Sequence, residues 1–235
     1  MVLAAGLGTR LRPVAGDRPK PLVHLARKPL IDHVLDRLAD AGITRAIVNV
    51  HHKAAQIEQH LAARQLPKII ISDERGQRLE TGGGIKQALP LLPEGGFIVH
   101  NSDAVWQERN VSNLERLMAA WNAERMDCLL LLVLGSAAVG YTGRGDFSLD
   151  ADGRIRRRRA DEVVPFVFTG VQILHPRAFA GAPDGPFSNN LVWNQAMLTG
   201  RAFGLRLDGL WMHVGNPEEL AAAELAMTQH GAKHD

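Results

Sequence analysis

A short apolar run that breaks into a glycine loop opens this chain and restricts its fold more than any other feature. Residues 2–5 are apolar, Gly6 and Gly8 follow, and two cations come next, Arg10 and Lys20. Glycines let main-chain N–H groups approach an anion and allow a positive φ. The two cations can neutralise charge that develops on a phosphate leaving group. The segment therefore predicts a strand, a phosphate-binding loop and two catalytic cations.

In the rest of the first half, short apolar runs of strand length alternate with segments in which apolar residues recur at helical spacing. Apolar residues recur at helical spacing over residues 30–41, and residues 46–50 and 68–72 read as buried strands. Strands that alternate with helices indicate an α/β fold with a mostly parallel sheet covered on both faces. Ligands in such sheets bind beyond the carboxyl ends of the strands. We expect the loops that start at Gly6, Thr81 and Asn101 to meet there, within one domain that spans residues 1–235.

Composition excludes several classes of function. A formal net charge of +2 is too small to argue for nucleic acid or a membrane surface as partner. No stretch approaches the roughly 18 apolar residues of a membrane span. The single cysteine, Cys128, excludes an intramolecular disulfide and fits a reducing cytoplasm, and its apolar surroundings predict a buried strand. We expect a cytoplasmic protein, and the sequence does not indicate its oligomeric state.

The commoner phosphate loops do not fit the N-terminal segment. A dinucleotide-binding loop needs a third glycine at position 11, where this chain has leucine. The Walker A pattern, with lysine directly after its last glycine, is absent from the sequence. The phosphate loop must therefore belong to another class.

Two further segments carry chemistry-bearing residues. Residues 80–84 read Glu-Thr-Gly-Gly-Gly, and three glycines in a row predict a loop on which a nucleobase or ribose lies, or else a merely flexible loop. Asp103 ends the segment 101–103, which follows the apolar run of residues 97–99. A carboxylate at a strand's carboxyl end is a plausible Mg²⁺ ligand, because Mg²⁺ takes one or two carboxylates together with phosphates. The alternative for this segment is an Asx turn that caps the next element.

Residues 3–22 resemble the N-terminal signature of the sugar-1-phosphate nucleotidyltransferases. Residues 80–84 and 143–147 are similar to segments of the bacterial N-acetylmuramate 1-phosphate uridylyltransferases in that family. The resemblance implies a Rossmann-like nucleotidyltransferase A-type fold with a small inserted sugar-binding portion. It also implies the reaction of a sugar 1-phosphate with a nucleoside triphosphate, which gives a nucleotide-sugar and pyrophosphate.

The resemblance assigns roles to individual residues. It implies that the nucleotide-binding residues are Ala5, Gly6, Gly8, Thr9, Arg10, Lys20, Gly82 and Gly83. For the sugar phosphate, it implies Glu80, Asn101, Gly143, Asp146, Thr169 and Gly170. One arginine of the run 156–159 is a further candidate for the sugar phosphate, although such a run is more often a solvated face.

The chain departs from the family at its second metal position. Residues 211–217 look like the family's Trp-x-Asp-Val-Gly-Thr-Pro segment, but His213 stands in place of the aspartate. Imidazole suits Mn²⁺ or Zn²⁺ better than Mg²⁺. Three interpretations remain open: His213 is a metal ligand together with Asp103, it binds phosphate as a cation, or it is structural. The expected cofactor is Mg²⁺, with Mn²⁺ or Co²⁺ as alternatives.

The segments 80–84 and 143–147 favour UTP and N-acetylmuramate 1-phosphate as substrates, over other nucleoside triphosphates and sugar 1-phosphates. A mannose 1-phosphate guanylyltransferase is the alternative, because its N-terminal loop is nearly identical. A third hypothesis from another class is a nucleotide- or sugar-binding regulator that lost catalysis when the second aspartate became His213.

Overall fold

The computed structural model describes residues 1–231, and within them a large mixed sheet carries helices on both faces. We number the strands β1 to β14: Val2–Leu3, His24–Leu25, Lys28–Pro29, Arg45–Val50, Lys68–Asp73, Phe97–Asn101, Val105–Glu108, Cys128–Leu134, Ala138–Val139, Phe147–Leu149, Ile155–Arg157, Phe166–Leu174, Ala202–Arg206 and Gly209–Met212. The α-helices α1 to α7 are Arg12–Ala15, Leu30–Asp40, Ala54–Leu61, Glu80–Ala88, Asn113–Ala120, Asn190–Leu198 and Pro217–Gly231. None of these described helices is long and apolar enough to span a bilayer.

The centre of the large sheet is parallel, as the strand–helix alternation predicts. Strands β6, β1, β4 and β5 lie side by side in that order, and Val2 of β1 pairs with His100 on one side and Val48 on the other. On the other side of β6, β12 runs antiparallel to both β6 and β8, and β13 pairs with β8 in parallel. The α/β fold class is confirmed, and the sheet is mixed because β12 and the edge strands β10 and β11 pair antiparallel.

Side chains that alternate along the strands supply two apolar layers. In β8, Leu129 and Leu131 pack into the layer that contains α2 and α3, whereas Leu130 and Leu132 pack into the layer that contains α4 and α6. A strand that is buried on both faces reads as a continuous apolar run, which is why its bounds could be predicted. Cys128 is buried at the start of this strand, as expected, and burial raises the pKa of its thiol.

A separate three-stranded sheet begins with β7, the strand that follows β6 in the chain. Its strand order is β7, β14, β9, and Trp211 of β14 pairs with Trp106 of β7. The sequence predicts a strand over residues 210–214, but it predicts none over the segment that forms its pairing strand β7. This small sheet matters for the site because β14 leads directly into His213 and Gly215.

The glycine run at residues 82–84 is helical, so the expectation of a loop is wrong. Helix α4 begins at Glu80, and Gly82, Gly83 and Gly84 are all buried within it. The amides of Gly82 and Gly83 donate to the carbonyl oxygen of Phe187 at 2.8 and 3.2 Å. A Cβ on Gly82 would overlap the Phe187 ring. The absent side chains therefore make room for protein, and contact of Gly82 or Gly83 with a nucleotide stays a prediction.

Candidate active site

A cavity of about 580 Å³ lies at the carboxyl ends of the parallel strands. Its wall includes the loop after β1, the ends of β5 and β6, the start of α4, and residues from two later segments, Ser188 and Gly215. The structure thus brings together nine of the residues singled out in the sequence: Ala5, Gly6, Gly8, Thr9, Arg10, Lys20, Glu80, Asn101 and Asp103.

The loop after β1 needs a glycine at position 8. Gly8 has φ 59°, in the left-handed region that favours glycine. A Cβ at this position would also lie 2.7 Å from the Cβ of Lys20, closer than packed carbon atoms approach. Gly8 therefore allows the segment that carries Lys20 to pack directly against the loop. Leu11, which is fully buried, anchors the other end of the loop.

Lys20 and Asp103 form an ion pair across the cavity wall. Their side chains are 17% and 29% exposed, so both charges are partly shielded from water but open to an incoming ligand. Asp103 stands just beyond β6, and Lys20 begins a short 3₁₀ turn, Lys20–Leu22. The pair holds a cation and a carboxylate next to the glycine loop, where a phosphate chain or a metal ion would have to be bound.

Arg10 lies close to the turn that follows β14. A Cβ on Gly215 would stand 3.3 Å from Nη2 of Arg10 and 3.2 Å from Nε2 of His213. Glu219, in the first turn of α7, accepts a 2.7 Å hydrogen bond from the Gly215 amide. This contact fixes the turn beside Arg10, and the sequence indicates no role for Glu219.

His213 contacts Glu219 and Trp211, and its Nε2 stands beside Gly215, a residue of the cavity wall. Its Nε2 is 3.5 Å from Oε2 of Glu219, and its ring packs at a tilt on Trp211. Gly215 lines the cavity, whereas His213 is not among the wall residues. Over residues 1–231, no group of three or more histidine, cysteine, aspartate or glutamate side chains is placed to hold a metal ion. The role of His213 as a second metal ligand stays a prediction.

Two buried polar residues of the cavity wall have no counterpart among the sequence predictions. Asn49, at the end of β4, accepts from the Ala4 amide at 2.7 Å and donates to Oε1 of Glu74 at 2.7 Å. Asn49 and Glu74 are each 2% exposed. Burial raises the pKa of the Glu74 carboxyl. Glu74 directly follows β5, so a carboxylate at a strand's end is the signal that would have found it.

The remaining residues predicted for the sugar phosphate lie outside the cavity wall. The Thr169 side chain is buried and its hydroxyl donates to the carbonyl oxygen of Leu131 at 2.8 Å, so contact of Thr169 with a sugar stays a prediction. Asp146 accepts from the Phe168 amide at 2.9 Å. Gly170 has φ 90° and packs on the Asn101 side chain. For Gly143, Asp146 and Gly170, contact with a sugar stays a prediction.

All four arginines at 156–159 make contacts within the protein, Arg159 through its amide, which donates to Oε2 of Glu162 at 3.1 Å. Arg156 pairs with Glu162 at 2.5 Å, Arg157 donates to Asn194 at 3.2 Å, and Arg158 donates to the carbonyl oxygen of Gly145 at 3.0 Å. None of the four is part of the cavity wall described above. The structure therefore singles out no arginine of this run for a sugar phosphate.

Comparison with known proteins identifies a family and two relatives of similar sequence. Residues 1–157 match the nucleotidyl transferase family model. The chain is 49% identical to N-acetylmuramate alpha-1-phosphate uridylyltransferase of Caulobacter vibrioides, over 97% of this chain and 96% of that protein. It is 35% identical to the protein of the same name from Neisseria meningitidis, over 95% and 96% of the two chains.

A solved structure supports the same fold. HddC from Yersinia pseudotuberculosis, crystallised in complex with GMP-PN, superposes with a TM-score of 0.76 at 25% identity, covering 96% of this chain and 97% of that one. Because the family model covers well over half of the sequence and the relatives align over nearly its full length, this protein belongs to the nucleotidyl transferase family.

Proposed function

We propose that this protein transfers a uridylyl group from UTP to N-acetylmuramate 1-phosphate, giving the nucleotide-sugar and pyrophosphate. The observation that carries the proposal is the 49% identity to the Caulobacter vibrioides uridylyltransferase over 97% of this chain. The cavity described above supports it, because the glycine loop, Arg10 and Lys20 stand beside the carboxylate of Asp103 at the carboxyl ends of parallel strands.

The chemistry of this reaction suits the side chains of the site. A phosphate oxygen of the sugar 1-phosphate attacks the α-phosphorus of UTP, a new O–P bond forms, and the bond to the β-phosphate oxygen breaks. The attacking oxygen is already anionic, so no strong general base is required. Positioning and charge neutralisation then account for most of the catalysis. The cations Arg10 and Lys20 fit the role of neutralising the leaving pyrophosphate.

Asp103 is the wall residue that fits a divalent cation. Mg²⁺ usually takes only one or two protein carboxylates and completes its shell with water and substrate phosphates. A single carboxylate within reach of a bound triphosphate meets that requirement, even though the described residues form no cluster of three ligands. When bound there, the ion would supply positive charge to the phosphate oxygens. Lys20, now paired with Asp103, would then be free to contact a phosphate.

Pyrophosphate release tests the proposal. The purified protein is incubated with each of the four common nucleoside triphosphates and with N-acetylmuramate, N-acetylglucosamine, glucose or mannose 1-phosphate, in Mg²⁺, Mn²⁺ or Co²⁺. We expect the highest kcat/KM for UTP with N-acetylmuramate 1-phosphate. A preference for GTP with mannose 1-phosphate would establish the alternative transferase. Tight binding of nucleotide without turnover in any of the three metals would establish a regulator instead.

A further inference from the structure

A second, smaller cavity adjoins the candidate active-site cavity at the glycine loop. Its volume is about 220 Å³. Leu7 and Gly8 belong to the walls of both cavities, so the same two loop residues separate them. Pockets that hold drug-sized ligands usually measure roughly 300–1,000 Å³. This outer cavity, as we call it, therefore suits a small ion rather than a whole nucleotide.

Basic side chains form most of the remaining wall of the outer cavity. Arg12 begins α1, directly after the glycine loop, and Lys53 directly precedes α3. Two segments far apart in the chain thus contribute positive charge to one small space. Among the residues that the structure describes, its wall is formed by Leu7, Gly8, Gly16 and four basic residues, Arg12, Arg18, His52 and Lys53.

The two arginines of this wall are not neutralised within the protein. Over residues 1–231, neither Arg12 nor Arg18 forms an ion pair with a carboxylate, and Nη1 of Arg18 contacts Nδ1 of His24 at 3.0 Å. Lys53 is the exception, because its Nζ pairs with the exposed carboxylate of Asp17 at 2.5 Å. Uncompensated cations around a concave surface concentrate a positive potential that attracts an anion.

The environment of His52 agrees with an excess of positive charge. Burial lowers the pKa of His52, and the nearby cations Lys53 and Arg12 lower it further. His51 acts in the same direction, and Asp17 opposes it. Like charges beside an imidazole disfavour its protonated form, and a bound anion would relieve that repulsion.

We propose that the outer cavity is an exit site, in which Arg12, Arg18 and His52 bind the pyrophosphate released by the transfer reaction. This inference rests on the proposed function, because pyrophosphate is a product of that reaction. The glycine loop supports it, since Gly8 lines both the cavity where pyrophosphate would form and the outer cavity. Cations in the next cavity offset part of the cost of breaking the charge-assisted hydrogen bonds in the first.

The side chains of the exit site match the chemistry of pyrophosphate. A guanidinium group presents paired N–H donors that fit two oxygens of one phosphate group. Neutral imidazole adds one further N–H donor. The two arginines and His52 thus offer donors to an anion that has only acceptors, and binding requires no covalent step.

Calorimetric titration with pyrophosphate tests the exit site directly. The wild type is first saturated with α,β-methylene-UTP, an analogue that cannot be cleaved, so that the candidate active site is occupied. If GTP proves to be the preferred nucleotide, the corresponding GTP analogue takes its place. We expect one further pyrophosphate to bind per chain. A saturated wild type that binds no pyrophosphate would overturn the proposal.

Arg12→Gln removes one cation from the wall of the outer cavity. Because Arg12 is exposed, the variant should fold normally. It should bind the further pyrophosphate at least about tenfold more weakly, the scale of one charge-assisted hydrogen bond. Arg45→Gln is the matched control, since it removes the same charge at the amino end of β4. An equal loss in both variants, or none in Arg12→Gln, would contradict a specific site.

Rapid-quench kinetics separates exit from bond cleavage. Formation of the nucleotide-sugar is followed in quenched samples, and free pyrophosphate is followed with pyrophosphatase and a fluorescent phosphate sensor. In Arg12→Gln, release should slow more than cleavage does. Equal slowing of the two steps, or of neither, would overturn the role in exit. If no substrate pair is turned over while the saturated wild type still binds pyrophosphate and Arg12→Gln does not, the proposed reaction fails and the anion site stands.

Discussion

At the scale of single residues, the site holds its charges in prearranged contacts. The Lys20–Asp103 ion pair keeps both groups beside the glycine loop, and the turn fixed by Glu219 stands beside Arg10. Charges that are positioned before the substrate arrives need little reorganisation in the transition state, where electrostatic stabilisation contributes most. Sequence motifs identified Arg10, Lys20 and Asp103. They could not identify the partners of these residues, because the pairs form between segments far apart in the chain.

Arg10→Ala should lower kcat by roughly 10²–10³, the scale of losing one transition-state donor. The side chain lines a cavity and is not part of an apolar layer, so the thermal midpoint should change little. Steady-state kinetics and a thermal melt measure the two effects. Arg45→Ala is the control, because Arg45 begins β4 at the amino end of the strand, whereas the cavity lies at the carboxyl ends. Wild-type turnover by Arg10→Ala would exclude a catalytic role.

His213→Gln should leave the ratio of Mg²⁺-supported to Mn²⁺-supported turnover unchanged. The reason is placement: Gly215 forms part of the cavity wall, whereas His213 packs on Trp211 and faces Glu219. Turnover is measured over a concentration series of each metal, so that affinity and maximal rate are separated. A marked loss of Mn²⁺-supported activity alone would show that His213 is a metal ligand, because an imidazole nitrogen suits Mn²⁺ better than Mg²⁺.

At the scale of elements, α4 shows where local propensity is overridden. Glycine is about 1 kcal/mol less favourable than alanine within a helix, so three glycines predict a loop. The helix forms nevertheless, because its glycine face packs directly on the segment 185–187 and on Glu74. No local pattern in the sequence encodes a close approach between residues about a hundred positions apart. The apolar run over residues 128–134, by contrast, predicts a strand with the same bounds as β8, because burial on both faces leaves a continuous apolar run.

Gly82→Ala should destabilise the protein by about 1–3 kcal/mol, the usual cost of overpacking. The added methyl group would meet the ring and carbonyl oxygen of Phe187, and the gain in helix propensity offsets only part of that clash. Urea unfolding measures the change in free energy. Gly95→Ala serves as control, because a Cβ there meets no heavy atom within 4 Å. If Gly82→Ala were as stable as Gly95→Ala and only raised the KM for UTP, the glycine would serve ligand binding after all.

At the scale of the whole molecule, the sequence predicts the parallel centre and strands over residues 164–174 and 210–214, but not how those later strands pair. Apolar periodicity identifies β1, β4, β5 and β6 and their covering helices. It does not specify that β12 enters the sheet antiparallel between β6 and β8, or that β7 and β14 form a separate sheet. Those pairings depend on contacts at long sequence separation. These pairings bring Ser188 and Gly215 to the wall of the cavity that the N-terminal loop also lines.

Because the cavity wall draws on residues from Leu3 to Gly215, a bound nucleotide should stabilise the molecule as a unit. At a UTP concentration about 100 times its Kd, linkage predicts about 2.7 kcal/mol of added stability. For a chain of this length that corresponds to a rise in Tm of roughly 5–10 °C, within a single transition. Differential scanning calorimetry with and without UTP measures it. Lys20→Met, which loses a phosphate contact, should show a smaller rise at the same UTP concentration. A second transition that does not respond to UTP would mean that part of the chain unfolds independently of the cavity.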